Sequence, residues 1–321
     1  MKLTGITFIT TYNCNAQCAH CFFDTQTEPH YMSPEVIARV YEDVSITKSM
    51  FWNHLSGGEV MLQPTKFYAI VSEIRKYFTG DLGMSTNAFW AKTPHQAKSV
   101  VHDLAQLGIS GIAVSSDAFH DAYVPISHVA NAVGALRDSG LKKHSYIMGA
   151  RCNSDVFQES LYNSKTEQNA SYLQSISNMP LAPTAIRSIG KGSLVNVPKK
   201  DTIPCKPCTD LSECLGTRGP FNPAMVWVDA YGNVMVCYGI IIGNVFEKKF
   251  VDIISEYSIE SNPVLKIIAD EGPHGLFPLA QKCNPTLQQN SFYDTCDVCY
   301  ACRKALRKKH HMYLGPRECY P

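Results

Sequence analysis

Cys14-Asn15-Ala16-Gln17-Cys18-Ala19-His20-Cys21 follows directly on a short apolar run that reads as a strand over residues 3–9. Its C-x3-C-x2-C spacing puts three thiols on one tight loop. Soft sulfur ligands select iron–sulfur clusters. Three thiolates leave one iron of a four-iron cluster open, and an open metal position is where chemistry happens. Zinc is the competing reading. Structural zinc closes four ligands, and Cys18 and Cys21 form one C-x2-C pair that Cys14 or His20 could extend. Disulfides fit less well, since three cysteines on eight residues do not pair evenly.

Leu55-Ser56-Gly57-Gly58-Glu59 ends the next expected strand, over residues 50–55. Paired glycines let a backbone approach a ligand closely, and a carboxylate such as Glu59 accepts from an ammonium group. Gly-Gly-Glu on its own is most often a plain turn. One βα unit after C-x3-C-x2-C, it makes the chain resemble the radical S-adenosylmethionine (SAM) superfamily. The resemblance implies that Cys14, Cys18 and Cys21 hold a 4Fe–4S cluster and that SAM chelates the open iron. It further implies that Gly57, Gly58 and Glu59 hold the SAM amino group, and that His20 stands where the family usually has an aromatic residue near the adenine.

The 321 residues are enough for a substantial core in one large domain or two. Lys+Arg 29 against Asp+Glu 28 is near balance and gives no global case for nucleic-acid binding. Thirteen cysteines without a visible export signal read as reduced metal ligands in a cytoplasmic protein rather than as disulfides. No stretch approaches the ~18 apolar residues of a membrane span.

The first half alternates strand and helix. Ser33-Pro34-Glu35 opens a helix, with Ser33 at the N-cap and Pro34 at the first position, expected to run to about Lys48. Further helices are expected over 64–78, from Thr93-Pro94 to Gly108, from Ser127 to Gly140 and, more weakly, over 167–177. Strands are expected over 82–85, 111–115, 144–149 and 185–189. Six βα-type repeats predict an α/β fold, a parallel sheet with outer helices, curled by right-handed crossovers. The resemblance implies a partial (β/α)6 TIM-type barrel, open on one side to substrate.

Barrel sites lie at the C-terminal strand ends. Those ends carry Ser85 and Asn87 after the third strand, Ser115 and Asp117 after the fourth, and Gly190 and Gly192 after the sixth. Strand ends are polar in any case, because chains turn there. Ser115 and Asp117 read equally well either way, whereas the resemblance assigns Ser85 and Asn87 to the SAM ribose and carboxylate. Arg151, at the end of the fifth strand, could pair with the SAM carboxylate through its guanidinium; a structural or surface arginine is an equal reading. Cys152 beside it reads as a buried free thiol.

The pattern changes after Gly192. Residues 195–223 are rich in Pro, Cys and Lys without periodicity, which divides the chain into a barrel over 1–192 and a smaller Cys-rich domain over 193–321. Nine cysteines lie in the second part, where metal binding could supply folding energy. Residues 226–237 read as a β-hairpin turning at Tyr231-Gly232-Asn233 and ending on Cys237. This hairpin resembles the twitch and SPASM auxiliary-cluster domains of radical SAM enzymes. The resemblance implies Cys214, Cys237, Cys296 and Cys299 as ligands of at least one auxiliary 4Fe–4S cluster. Cys205, Cys208 and Cys302 are further candidates, for that cluster or for a second one with Cys283 or Cys319. A zinc knuckle at Cys205-x2-Cys208, or a zinc-stapled domain throughout, is the alternative. Arg303, Lys304, Arg307, Lys308 and Lys309 read as a solvated helix face, or as a docking site for an acidic electron donor or peptide.

Thr86-Asn87-Ala88-Phe89-Trp90, Ser115-Ser116-Asp117-Ala118-Phe119-His120 and the single hairpin cysteine resemble small radical SAM enzymes that modify ribosomal peptides, with peptide epimerases closest in arrangement. The family chemistry implied is reductive cleavage of SAM to a 5′-deoxyadenosyl radical, which takes a hydrogen atom from the substrate. Such epimerases can carry a second cysteine beside the hairpin one as hydrogen donor. Here that position is Tyr238, which leaves Tyr238, Cys283 and Cys319 as donor candidates and raises crosslinking or oxidation as outcomes. Because the first strand opens near Leu3, no separate N-terminal peptide-recognition domain is expected. The implied electron donor is flavodoxin- or ferredoxin-like. A small-molecule radical SAM enzyme is the second reading. A non-catalytic cluster sensor is the third, against which Gly57-Gly58-Glu59 argues, since a sensor needs no SAM site.

Overall fold

The computed structural model describes residues 2–26, 28–152, 157–195, 223–288 and 292–321. Cys205, Cys208 and Cys214 lie outside the described residues. In chain order the elements are β1 (Gly5–Thr11), α1 (Pro34–Val40), β2 (Trp52–Gly57), α2 (Pro64–Arg75), β3 (Asp81–Thr86), α3 (Pro94–Gln106), β4 (Gly111–Ser115), α4 (Ala118–Asp121), α5 (Ile126–Arg137), β5 (Tyr146–Arg151), α6 (Phe157–Ser177) and β6 (Leu181–Ala185). Then come β7 (Met225–Asp229), β8 (Asn233–Cys237), β9 (Ile240–Asn244), α7 (Phe250–Ser255), α8 (Pro263–Glu271), α9 (Phe277–Cys283) and α10 (Thr295–Leu306).

The first six strands pair in parallel, each with its sequence neighbour, as a βα series requires. This is the partial (β/α)6 barrel. All seven residues of β1 are buried, as expected of a parallel strand covered on both faces. Caps set several helix starts. Thr93 Oγ1 accepts from Gln96 N at 3.2 Å with Pro94 in the first turn, and the helix stops before Gly108. The hairpin forms as expected, Trp227 opposite Met235 and Val228 opposite Val234. It does not stand apart from the barrel. β7 lies parallel to β1, Gly5 opposite Met225 through Ile9 opposite Asp229, giving one nine-stranded sheet in the order β6-β5-β4-β3-β2-β1-β7-β8-β9.

Four boundaries differ from the sequence expectation. The helix from Pro34 ends at Val40, and Ser33 makes no side-chain cap; Asp43 then turns the chain by accepting from Ser45 N at 2.9 Å. The α5 helix begins at Ile126, just after Pro125, not at Ser127. The α6 helix is longer than the weak pattern over 167–177. The sixth strand occupies Leu181–Ala185 rather than 185–189. Pro183 is tolerated there because β6 is an outer strand. Ile186 is buried instead against Cys18 and Phe119, which explains its apolar character without a strand.

Candidate functional site

A cavity of about 640 Å³ opens at the C-terminal ends of the parallel strands. Cys14, Cys18 and Cys21 line it after β1, Gly57 and Gly58 after β2, Ser85 and Asn87 at β3, and Ser115 and Asp117 at β4. The three thiols are not in disulfides. Backbone N–H groups already aim at two of them, Ala16 N at Cys14 Sγ (3.3 Å) and Phe23 N at Cys21 Sγ (3.5 Å). Burial, with the Glu59 carboxylate adding to it, pushes the Cys14 thiol up to about 12. Burial likewise raises Cys21, with Cys18 contributing to both shifts. Burial makes Cys14 and Cys21 costly to ionise unless a cation binds them, and soft donors on one loop suit an iron–sulfur cluster.

The Gly-Gly-Glu segment is built by backbone crowding. A Cβ on Gly57 would sit 2.2 Å from Thr11 O, and one on Gly58 2.0 Å from Asn13 O. Both glycines therefore bring β2 against the cysteine loop itself. Gly58 N donates to Thr11 O (2.8 Å) and Glu59 N to Asn13 O (2.9 Å). The Glu59 side chain is 1% exposed and is not among the groups lining the cavity. Its carboxylate accepts from Met61 N (3.0 Å), Thr86 Oγ1 (2.8 Å) and Asn87 N (2.7 Å). Glu59 thus ties the β2 end to the β3 end and holds Asn87 in place. Asn87 Nδ2 in turn donates to Asn15 Oδ1 at 3.0 Å, on the cysteine loop.

Asp117 caps α4. Its Oδ1 accepts from Phe119 N, His120 N and His120 Nδ1 at 2.9–3.0 Å, and its Oδ2 from Ala150 N at 3.1 Å. Burial opposes its ionisation, yet the His120 ring and these donors hold the carboxyl well below its usual range. The Cys18 side chain also lies beside the His120 ring and helps to raise its pKa. His20 packs edge-on to His120 (centroids 5.2 Å) and against Phe119 (4.8 Å). Burial lowers His20 to about 4, so at neutral pH its 4.0 Å approach to Asp117 is not an ion pair. The ligand atoms of His20, Asp117 and His120 lie within 4.8 Å of one another, but the Asp117 oxygens are already committed to N–H donors.

Several cavity groups escaped the sequence reading. His54 Nε2 meets Ser85 Oγ at 2.8 Å, and burial lowers His54 to about 4. Arg187, Trp227 and His120 also line the cavity. His120 could have been found from its place three residues after the helix-capping Asp117; Arg187 and Trp227 carry no local signal. Arg151 is not brought to the cavity lining. It is exposed and pairs with Glu167. Of the three hydrogen-donor candidates, only Tyr238 lines the cavity, packed against Phe22 (4.8 Å) and Trp227 (5.0 Å). Cys283 is exposed at the end of α9. Cys319 is buried, its Sγ 3.8 Å from Tyr12 Oη.

A second set of thiols meets between β8 and α10. Cys237 is coupled to Cys296, Cys299 and Arg303. Burial pushes Cys237 up to about 11 and raises Cys299. Cys302, fully buried, packs into the core beside them. The solvated-face reading of Arg303 is overturned: it is 1% exposed, because its place four residues after Cys299 turns it toward the thiols. Lys304, Lys308 and Lys309 are exposed as expected, and Arg307 is half-buried. An Arg303 Nε without a hydrogen-bond partner among converging thiols fits an anionic metal centre here.

A scan against family models matches residues 8–153 to the Radical SAM superfamily. The chain is 29% identical over 119 residues to YydG of Bacillus subtilis (strain 168), a protein named for peptide biosynthesis, covering 37% of each. It is 29% identical over 138 residues to a protein of Thermoplasma volcanium named as a GTP 3′,8-cyclase, covering 40% of this chain and 39% of that one. The matched segments thus span well under half of the curated relatives. Among solved structures, SuiB of Streptococcus suis bound to precursor peptide SuiA superposes at TM-score 0.51 and 13% identity, covering 92% of this chain and 76% of that one. The structure of anSMEcpe with bound AdoMet superposes at TM-score 0.53 and 11% identity, covering 97% of both chains. At these identities the two structures establish the shared fold. With the three-cysteine loop, the Gly-Gly-Glu turn and strands β2 to β5 all inside the matched segment, residues 8–153 form a domain of the Radical SAM superfamily.

Proposed function

We propose that this protein is a radical SAM enzyme that takes a hydrogen atom from a ribosomally made peptide, leaving it epimerised, crosslinked or oxidised. The observation that carries this is the convergence of Cys14, Cys18 and Cys21 with Gly57, Gly58, Ser85, Asn87 and Ser115 around one cavity. When bound, the cluster and SAM supply a carbon-centred radical strong enough to break an unactivated C–H bond.

The chain's own residues do the rest. Cys14, Cys18 and Cys21 offer the thiolates, and Ala16 N and Phe23 N stabilise two of them. Gly57 and Gly58 present backbone groups to the SAM amino end, with Glu59 holding that turn against Asn87. Ser85, oriented by His54, would hold the ribose, and His20 would flank the adenine. Phe22, Trp227 and Tyr238 wall the cavity with apolar surface that excludes water and would keep a radical from solvent. A flavodoxin- or ferredoxin-like donor would reduce the centre, and the residues from 193 onward, with Cys237, Cys296 and Cys299, would hold an auxiliary cluster.

A peptide substrate is favoured by the likeness to YydG and by a barrel shared with SuiB, solved with a precursor peptide. Likeness to a protein named as a GTP 3′,8-cyclase supports the second reading, a small-molecule substrate. The test has two parts. Anaerobic protein given SAM and a strong reductant should form 5′-deoxyadenosine and methionine. Mass spectrometry of cells with and without the protein should then find a changed peptide. No 5′-deoxyadenosine would end the enzymatic proposal; a changed small metabolite and unchanged peptides would move it to the second reading.

A further inference from the structure

Arg303 is among the largest fully buried side chains in the protein. Buried charges are normally paired, because an unpaired one is strongly destabilising. Among the described residues no carboxylate forms an ion pair with Arg303. Its Nη1 donates to Tyr238 O (2.6 Å) and Tyr320 Oη (3.1 Å), both neutral oxygens. Tyr320 Oη itself donates to Gly239 O at 2.6 Å. The guanidinium lies 5.7 Å from the Tyr320 ring centroid. Its Nε is buried with no hydrogen-bond partner. The groups left to balance the charge are the thiols of Cys299 and Cys237.

Helix geometry makes this arrangement deliberate. Cys296, Cys299 and Arg303 follow one another at i, i+3 and i+7 on α10, so they share a face. The β8 strand delivers Cys237 to that face, and the next residue, Tyr238, anchors Nη1 through its carbonyl. As protonated thiols the cysteines leave a buried cation without a counter-charge. As metal-bound thiolates they supply it.

We propose that Arg303 is the buried counter-cation of an iron–sulfur cluster held by Cys237, Cys296 and Cys299, with Nε donating a hydrogen bond to a sulfur of that centre. This rests on the reading that the second thiol set holds a cluster. A thiolate-ligated cluster is anionic and gains further negative charge on reduction, so a fixed adjacent cation stabilises the reduced form more. Arg303 therefore sets the potential of this centre upward, which suits a centre that accepts an electron. It is a positioning residue and touches no substrate.

The test uses full-length protein carrying Cys14, Cys18 and Cys21→Ala, so that one cluster remains to be read. Anaerobically reconstituted, it should hold about four irons with matching sulfide, and a redox titration followed by electron paramagnetic resonance gives its midpoint. R303Q and R303M should both shift that midpoint to more negative potential, and R303K should recover most of the shift. Should R303M fail to load, R303Q reads the same charge removal with a polar side chain. Stoichiometric zinc in place of iron would overturn the cluster reading, and this proposal with it. A loaded cluster whose midpoint is the same in R303Q as with Arg303 would overturn the Arg303 role alone, leaving the cluster standing.

Discussion

Cys14, Cys18 and Cys21 come from eight consecutive residues on one loop, whereas Cys237 and Cys299 lie far apart in sequence and meet only where β8 passes α10. The surroundings differ as much as the origins. The first set faces a cavity, with the Glu59 carboxylate acting on Cys14 and the His120 ring, held by Asp117, beside Cys18. The second, itself only partly buried, packs against the core beside a buried guanidinium. A centre that must keep one position open for a ligand is built on a loop at strand ends. On the reading proposed above, the second set needs no open position and is given a fixed counter-charge instead.

The largest effect would come from breaking the first set. Cys14, Cys18 and Cys21→Ala should abolish 5′-deoxyadenosine formation altogether while iron bound through the second set remains; 5′-deoxyadenosine from the triple variant would reverse the assignment. Next, Cys237→Ala should remove about one cluster's worth of iron and make the region after residue 223 sensitive to protease, since on the proposed reading metal binding contributes to its folding energy. Some uncoupled SAM cleavage should persist. If both variants lost all iron, the two centres would not be independent.

A smaller effect sharpens the first site. Glu59→Ala leaves the N–H groups of Met61 and Asn87 and the Thr86 hydroxyl without their acceptor. It should weaken SAM binding by roughly ten- to a hundredfold, about 1.5–3 kcal/mol, with cluster content unchanged. Calorimetric titration of SAM into the variant measures it, and unchanged affinity would reduce Glu59 to a local cap.

The smallest effect concerns the neutral lining of the cavity. Burial lowers His54 from 6.5 to about 4, so between those values the unfolded chain binds the extra proton and the folded one does not. Stability should therefore rise with pH across that window, by at most about 3 kcal/mol from this one group. His54→Asn should flatten the rise in a series of thermal melts from pH 4.5 to 6.5. An unchanged slope would mean that His54 stays solvated in solution.

The barrel was legible because its elements are local. Alternating strands and Pro- or Thr-capped helices carry their own signals, and the cysteine loop is a contiguous motif. The sixth strand was misplaced because the apolar Ile186 and Ile189 are buried against other parts of the fold rather than along a ladder. Arg303 was misread for a similar reason. On α10 it belongs to a run of basic residues, and only the partner across the helix face separates it from Lys304 and Lys308.

By itself the sequence determined the three-thiol loop, the Gly-Gly-Glu turn after β2 and the parallel βα order, since each is set by neighbours within a few residues. Only the tertiary structure decided that the hairpin joins the barrel sheet through β1, that Glu59 faces protein donors, and that Arg303 turns inward. Those outcomes depend on contacts between residues distant in the chain, where burial and the demand for hydrogen-bond and charge partners, rather than local propensity, select the arrangement.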